Sequence, residues 1–178
     1  EHQLSRQALR AVAVDAGGGV FAGAGDDGVV RVVEGADGVP RQMPGHDGAV
    51  YALAFTPAAD RLVSGGDDGT LRIWNTGSGA LVRTIELDEG AATALAVDDR
   101  RALTGHKGGA VVLWDLERAE KLAVVHHRAP ISSLVFTGDP NRFFAASQDG
   151  SVSLFDVRSP NTPAPLSDDV EAGAQMLA

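Results

Sequence analysis

Residues 45 to 75 read GHDGAVYALAFTPAADRLVSGGDDGTLRIWN, and the reading of this stretch decides the fold. AVYALAF, residues 49–55, is a short apolar run, and Arg61-Leu62-Val63-Ser64 is a second. In Thr70-Leu71-Arg72-Ile73-Trp74 the residues alternate, so an extended backbone puts Leu71 and Ile73 on one face and Thr70, Arg72 and Trp74 on the other. Asp68-Gly69 separates the last two runs and tolerates the positive φ of a tight hairpin. Thr56-Pro57 and the following Ala-Ala-Asp separate the first two. The stretch predicts a three-stranded antiparallel meander.

A meander fits many all-β folds, so the next question is whether it recurs at a fixed interval. The turn glycine returns as Gly28, Gly69, Gly109 and Gly150, at intervals of 41, 40 and 41 residues. Shortly after each comes an apolar position, Val33, Trp74, Trp114 and Phe155, with the same spacing of 41, 40 and 41. Four unrelated turns would not keep step in this way. A repeat of this length, opening on Gly45-His46 and closing on Trp74-Asn75 or Trp114-Asp115, resembles the WD40 repeat family, and the resemblance covers nearly the whole chain. It implies a β-propeller of four-stranded antiparallel blades.

The resemblance also implies a structural tetrad in repeat two, formed by His46, Ser64, Asp68 and Trp74. The chemistry is consistent: indole N–H donates, carboxylate accepts, and serine and imidazole do both, so the four can satisfy one another when buried. The other repeats keep parts of this set. Repeat one has Ser5, Gly23, Asp27 and Val33, a combination from which no network is expected. Repeat three keeps Thr104 and Trp114 but has Asp88 at the histidine position and Gly108 at the turn aspartate, so half its tetrad is missing. Repeat four has His127, Ala145, Asp149 and Phe155.

The expected units are a degenerate blade over residues 1–44, the best match over 45–87, a third blade over 88–126, a fourth over 127–167, and the first strand of a further repeat over 168–178. Within the first, strands are expected at Ala8 to Val14, Gly19 to Ala24, Val29 to Val33 and Arg41 to Met43; in the second, Leu81 to Glu86 is the outer strand. The third is expected to use Ala91 to Val97, Arg101 to Thr104 and Ala110 to Trp114; the fourth, Ile131 to Phe136, Arg142 to Ser147 and Ser151 to Phe155. The proline-rich run 159–165 can supply at most an irregular edge strand. Four repeats do not obviously close a ring. The chain is expected to be part of a larger propeller, to pair with a second copy or another chain, or to close on four blades.

Composition narrows the chemistry. The chain has 178 residues, 44% of them hydrophobic, with 22 glycines and a net charge of -9. That charge argues against an extended nucleic-acid surface. There is no cysteine, hence no disulfide, thiolate site or cysteine nucleophile. No apolar run approaches the ~20 residues of a membrane span. A start at Glu1 suggests trimming from something longer. The expected compartment is the cytoplasm, with nucleus and periplasm left open.

Several motifs imitate chemistry. Gly23-Ala24-Gly25-Asp26-Asp27-Gly28 has dinucleotide-binding spacing but leads into the strand-like Val29-Val30-Arg31-Val32-Val33 rather than a helix. His126 and His127 would point to opposite faces of a strand, which disfavours a shared metal, and His106 reads as a surface turn residue. Ser64, His46 and Asp68 form a nucleophilic triad on paper, but the tetrad would bury the serine. Asp26-Asp27 and Asp67-Asp68 divide between turn and rim. No cofactor, metal site or catalytic set is expected.

What is left is a binding surface. The resemblance implies that partners meet the narrow-side rim at the third and fifth residues after the histidine and at the residue before the turn aspartate. Those are Ala49, Tyr51 and Asp67 in repeat two, and Pro130, Ser132 and Gln148 in repeat four. By strand alignment they are Ala8, Arg10 and Asp26 in repeat one, and Ala91, Thr93 and Lys107 in repeat three. Tyr51 and Arg10 are the strongest candidates, since exposed Tyr and Arg are common binding hot spots. The expected role is a non-catalytic scaffold for a multiprotein complex. The alternative is an accessory propeller region of a larger enzyme whose catalytic domain lies elsewhere.

Overall fold

A computed structural model describes residues 4–139, 141–158 and 164–165. The described residues hold strands and turns and no helix, so no helix is long and apolar enough to cross a membrane. The strands form four antiparallel sheets, each an up-and-down meander. The first contains β1 (Leu9–Val14), β2 (Val20–Gly25), β3 (Val29–Glu34) and β4 (Arg41–Pro44). The second contains β5 (Val50–Phe55), β6 (Arg61–Gly66), β7 (Thr70–Asn75) and β8 (Leu81–Glu86). The third contains β9 (Ala92–Val97), β10 (Arg101–His106), β11 (Ala110–Asp115) and β12 (Glu120–His126). The fourth contains β13 (Ile131–Phe136), β14 (Arg142–Ser147), β15 (Val152–Asp156) and the two-residue β16 (Ala164–Pro165), which pairs with Ser153 and Leu154. The expected strand at the start of a fifth repeat lies outside the described residues.

The recurrent glycine makes the second hairpin of each sheet. Gly28, Gly69, Gly109 and Gly150 have φ of 69°, 70°, 85° and 86°, a region costly for any residue with a Cβ. In each turn its N–H donates to the carbonyl three residues back, as Gly69 does to Gly66 at 3.3 Å.

Each inner sheet buries both faces, as the alternation in β7 requires. Leu71 and Ile73 join Val63, Ile85, Ala102 and Trp114 in the seam between the second and third sheets. Trp74 points the other way, into the seam with Ala22, Val30 and Met43 of the first sheet. Leu103 and Leu113 meet Ile131, Phe143 and Phe155 in the seam between the third and fourth. Near the inner strands the sheets approach most closely, and glycine allows it: a Cβ at Gly65 would lie 2.8 Å from that of Ala92, and one at Gly105 2.8 Å from that of Ile131.

The inner strands β1, β5, β9 and β13 pack in sequence order, each against the next. Among the described residues β13 does not return to pack against β1 as successive inner strands do. The arrangement is an open arc of four propeller blades.

Candidate interaction surface

The second sheet contains a complete polar chain. Trp74 Nε1 donates to Ser64 Oγ at 2.8 Å, and Ser64 Oγ lies 2.7 Å from His46 Nε2. An indole N–H can only donate, so the serine turns its hydrogen to Nε2, and His46 Nδ1–H points to Asp68, 3.0 Å from each oxygen. Burial pushes His46 below the usual imidazole range, and the attraction of Asp68 only partly offsets this, so the ring is neutral. For Asp68, burial pushes upward, but hydrogen bonds from His46, the Asp47 N–H and Thr70 outweigh it and hold the carboxyl low. Ser64 is 0% exposed, so the triad-like geometry offers a substrate no access.

The third sheet corrects two expectations. His106 is no surface turn residue: it is 0% exposed. Its Nε2 accepts from Thr104 Oγ1 at 2.9 Å, its Nδ1–H donates to the Gly90 carbonyl at 3.1 Å, and Trp114 Nε1 donates to the same threonine at 2.9 Å. The histidine function has therefore moved from the loop entering the blade to the end of β10. Asp88, aligned with the lost histidine, has a side chain 78% exposed and pairs with Lys121 at 3.0 Å.

The first sheet is a further correction, because a partial network does form. Ser5 donates to Asp27 at 2.8 Å, and Arg31 meets the same carboxylate at 2.8 Å. The equivalent arginine of repeat two, Arg72, lies 3.5 Å from Asp68, which there also has His46 as a partner. In the fourth sheet Asp149 accepts from Ser147 and Ser151, bonds that hold its carboxyl well below the usual range. Ser151 and Ser153 each lie 3.2 Å from His127 Nε2. Ala145 and Phe155 are buried without polar groups, Phe155 stacking on Phe143 with centroids 5.4 Å apart.

A pH prediction arises from the two buried imidazoles. Burial is the leading cause of depression in both His46 and His106, from an ordinary value of 6.5. Below that value the unfolded chain binds protons that the native chain does not, so stability is fully present above about 6.5 and falls as pH drops. The urea midpoint is expected to be lower at pH 5.5 than at pH 7.5, before the carboxylates protonate. An unchanged midpoint would contradict the neutral, buried assignment.

These networks anchor the ends of the inner strands, where the rim candidates stand. Each inner strand has a β-bulge, and the inserted residues are Arg10, Tyr51, Thr93 and Ser132. A bulge breaks the ladder and re-aims one side chain. All four line one cleft of about 260 Å³ crossed by the four inner strands. Arg10 and Asp26 make a two-point ion pair at 2.7 and 3.1 Å. Half-buried Tyr51 has Lys107 Nζ of the next blade 5.9 Å from its ring centroid. Thr93 is already engaged, with its hydroxyl 3.1 Å from the Gly105 carbonyl and 3.2 Å from that of Ile131. Ser132 bonds the Ala146 carbonyl at 3.1 Å but is exposed, as are Asp67 and Gln148. Ala8 is exposed, and Ala49, Ala91 and Pro130 are half-buried.

The family model "WD domain, G-beta repeat" matches residues 39–75 and 120–156. The chain carries WD40 repeats. Both matches begin around an outer strand, β4 or β12, and run through the next three, so a WD40 repeat here is out of phase with the sheets and ties adjacent blades together. Small ribosomal subunit protein RACK1y of Oryza sativa subsp. japonica is 34% identical over 125 residues, covering 68% of this chain and 37% of that protein. Target of rapamycin complex subunit LST8 of Saccharomyces cerevisiae is 32% identical over 108 residues, 57% of this chain and 35% of that one. SIR4-interacting protein SIF2 of the same species is 29% identical over 117 residues, 65% of this chain and 22% of that one. The chain thus spans between 22% and 37% of the length of these WD40 relatives. Among solved structures, the computationally designed Ika4 protein superposes with a TM-score of 0.76 at 26% identity, over 88% of this chain and 99% of that one.

Proposed function

We propose that the chain is a non-catalytic WD40 scaffold that holds a protein partner at the mouth of the cleft between its inner strands. The single observation that carries this reading is the convergence of four bulges there, which bring Arg10, Tyr51, Thr93 and Ser132 to one opening. Arg10 and Tyr51 are the anchors, Lys107 and Asp26 orient them, and exposed Asp67, Ser132 and Gln148 form the polar edge. Thr93, bonded within the seam, shapes the site more than it binds. The Ser-His-Asp groups that could suggest hydrolysis are consumed inside a blade. The names of the relatives support the same reading, since they include a ribosomal subunit protein, a subunit of a target of rapamycin complex and a SIR4-interacting protein. Cytoplasmic residence accords with the first of these.

The test compares wild type with the Arg10→Ala, Tyr51→Ala double variant in quantitative affinity purification followed by binding of the recovered partner. Affinity is expected to fall by about tenfold or more, as for loss of interface hot spots. The urea midpoint should stay nearly unchanged. Unaltered binding would remove the cleft mouth as the site, and a collapse in stability from Tyr51→Ala alone would make that ring a core residue.

A further inference from the structure

The cleft crossed by the inner strands is small and polar. At about 260 Å³ it lies below the ~300–1,000 Å³ of typical small-molecule sites, a size that suits one inserted side chain. Strands β1, β5, β9 and β13 are each the edge of their sheet, so a row of backbone N–H and C=O groups that the ladder leaves unpaired faces it. Two leucines that line it, Leu53 and Leu134, are buried in the seams.

Hydrogen-bonding roles are unequally distributed around the opening. Arg10 binds Asp26 through Nε and Nη2, and among the described residues nothing accepts its Nη1 hydrogens. The first blade therefore donates. On the fourth blade the Ser132 hydrogen goes to the Ala146 carbonyl at 3.1 Å, which leaves that exposed oxygen only to accept. The Thr93 hydrogen is shared between the Gly105 and Ile131 carbonyls, so it is not available to a ligand either. The hydroxyls of Tyr51 and Ser133 turn to either role. Charge is balanced as well: Arg10 is paired with Asp26, and on the rim exposed Lys107 and Asp67 oppose each other in sign.

We infer, on the reading of the cleft mouth as the partner site, that the cleft takes one Asn or Gln side chain of the partner segment, its carbonyl oxygen toward Arg10 and its amide N–H toward Ser132. A carboxylate there would compete with Asp26 for Arg10 and face an oxygen of Ser132 that has no hydrogen to give. An ammonium or guanidinium would suit Ser132 but bring a second cation beside Arg10, an unfavourable juxtaposition in an interface. An apolar side chain would strip water from Arg10, Ser132 and the strand edges without replacing its hydrogen bonds. A carboxamide carries its acceptor and its donor on separate arms of one uncharged planar group.

A random-peptide phage library panned on the 178-residue chain, with counter-selection on the Arg10→Ala, Tyr51→Ala double variant, tests this assignment. Cleft-dependent peptides are expected to share one Asn or Gln. In synthetic versions, exchange of that residue for the near-isosteric Asp or Glu should weaken binding by about tenfold or more, as for an unpaired buried polar group. Ser132→Ala should weaken the amide peptide by about fivefold or more. Ser132→Lys turns the acceptor into a donor and should reverse the order, so that the acid peptide binds the tighter. A merely structural role for Ser132 would weaken both peptides equally. If Ser132→Lys fails to fold, Ser132→Ala decides by its effect on the amide peptide relative to the acid one. Cleft-dependent peptides that fix a charged or apolar residue, or an amide preference unchanged in the Ser132 variants, would overturn the carboxamide assignment and leave the cleft as the partner site. Absence of any peptide that distinguishes wild type from the double variant would overturn both.

Discussion

Trp74→Ala is expected to destabilise the chain by about 3–5 kcal/mol, the usual loss for a buried aromatic reduced to alanine, read as a fall in urea midpoint with little change in slope. The total stability of a domain is about 5–15 kcal/mol, so much of the population would unfold at ambient temperature. Trp74 is 2% exposed and fills the seam between the first two sheets beside Val30 and Met43. Its N–H also begins the chain through Ser64 and His46 to Asp68. Trp74→Phe separates these contributions: it keeps most of the packing and removes the donor, and should cost about 1–2 kcal/mol. The fourth sheet shows the compensated form, with Ala145 in place of the serine and Phe155 in place of the tryptophan. Ser64→Ala combined with Trp74→Phe should therefore cost less than the two single losses added. Strict additivity would show that Ser64 and Trp74 are not coupled.

The same comparison explains what was legible in the sequence. Leu71 and Ile73 face the third sheet and Trp74 the first, as the alternation in β7 requires, because strand periodicity is a local property. The hairpin glycines were legible for a similar reason: a positive φ leaves a residue signature. The four-stranded blade implied an outer strand before residue 126, but no pattern marks its bounds, Glu120–His126, since its residues are mostly exposed and only Val125 is buried. The rim positions came through family resemblance. Nothing in periodicity announces that Arg10, Tyr51, Thr93 and Ser132 are the inserted residues of four bulges. Outside repeat two the side-chain networks were least legible, because Ser5 and Asp27, or His127 and Ser153, are far apart in sequence and need only meet in space.

His106→Ala is the second large effect, an expected loss of about 2–4 kcal/mol, whereas Asp88→Ala should stay within about 0.5 kcal/mol. Alignment by position ranks these residues the other way, since Asp88 stands where repeat two has its histidine and His106, the last residue of β10, stands where repeat two has Gly66. Physical environment reverses the order. Removing the fully buried His106 ring leaves a cavity, the Gly90 carbonyl without its donor, and the Thr104 hydroxyl without its acceptor while Trp114 still donates to it. An unsatisfied buried group costs about 1–3 kcal/mol in addition to lost packing. Asp88 loses only an exposed ion pair with Lys121, which water replaces. His106→Gln retains polar atoms and should recover part of the loss, a rescue that an effect of volume alone would not require to depend on hydrogen bonding. If Asp88→Ala matched His106→Ala in urea titration, the third blade would be organised from its entering loop, and the transfer of the histidine role to the end of β10 would be wrong.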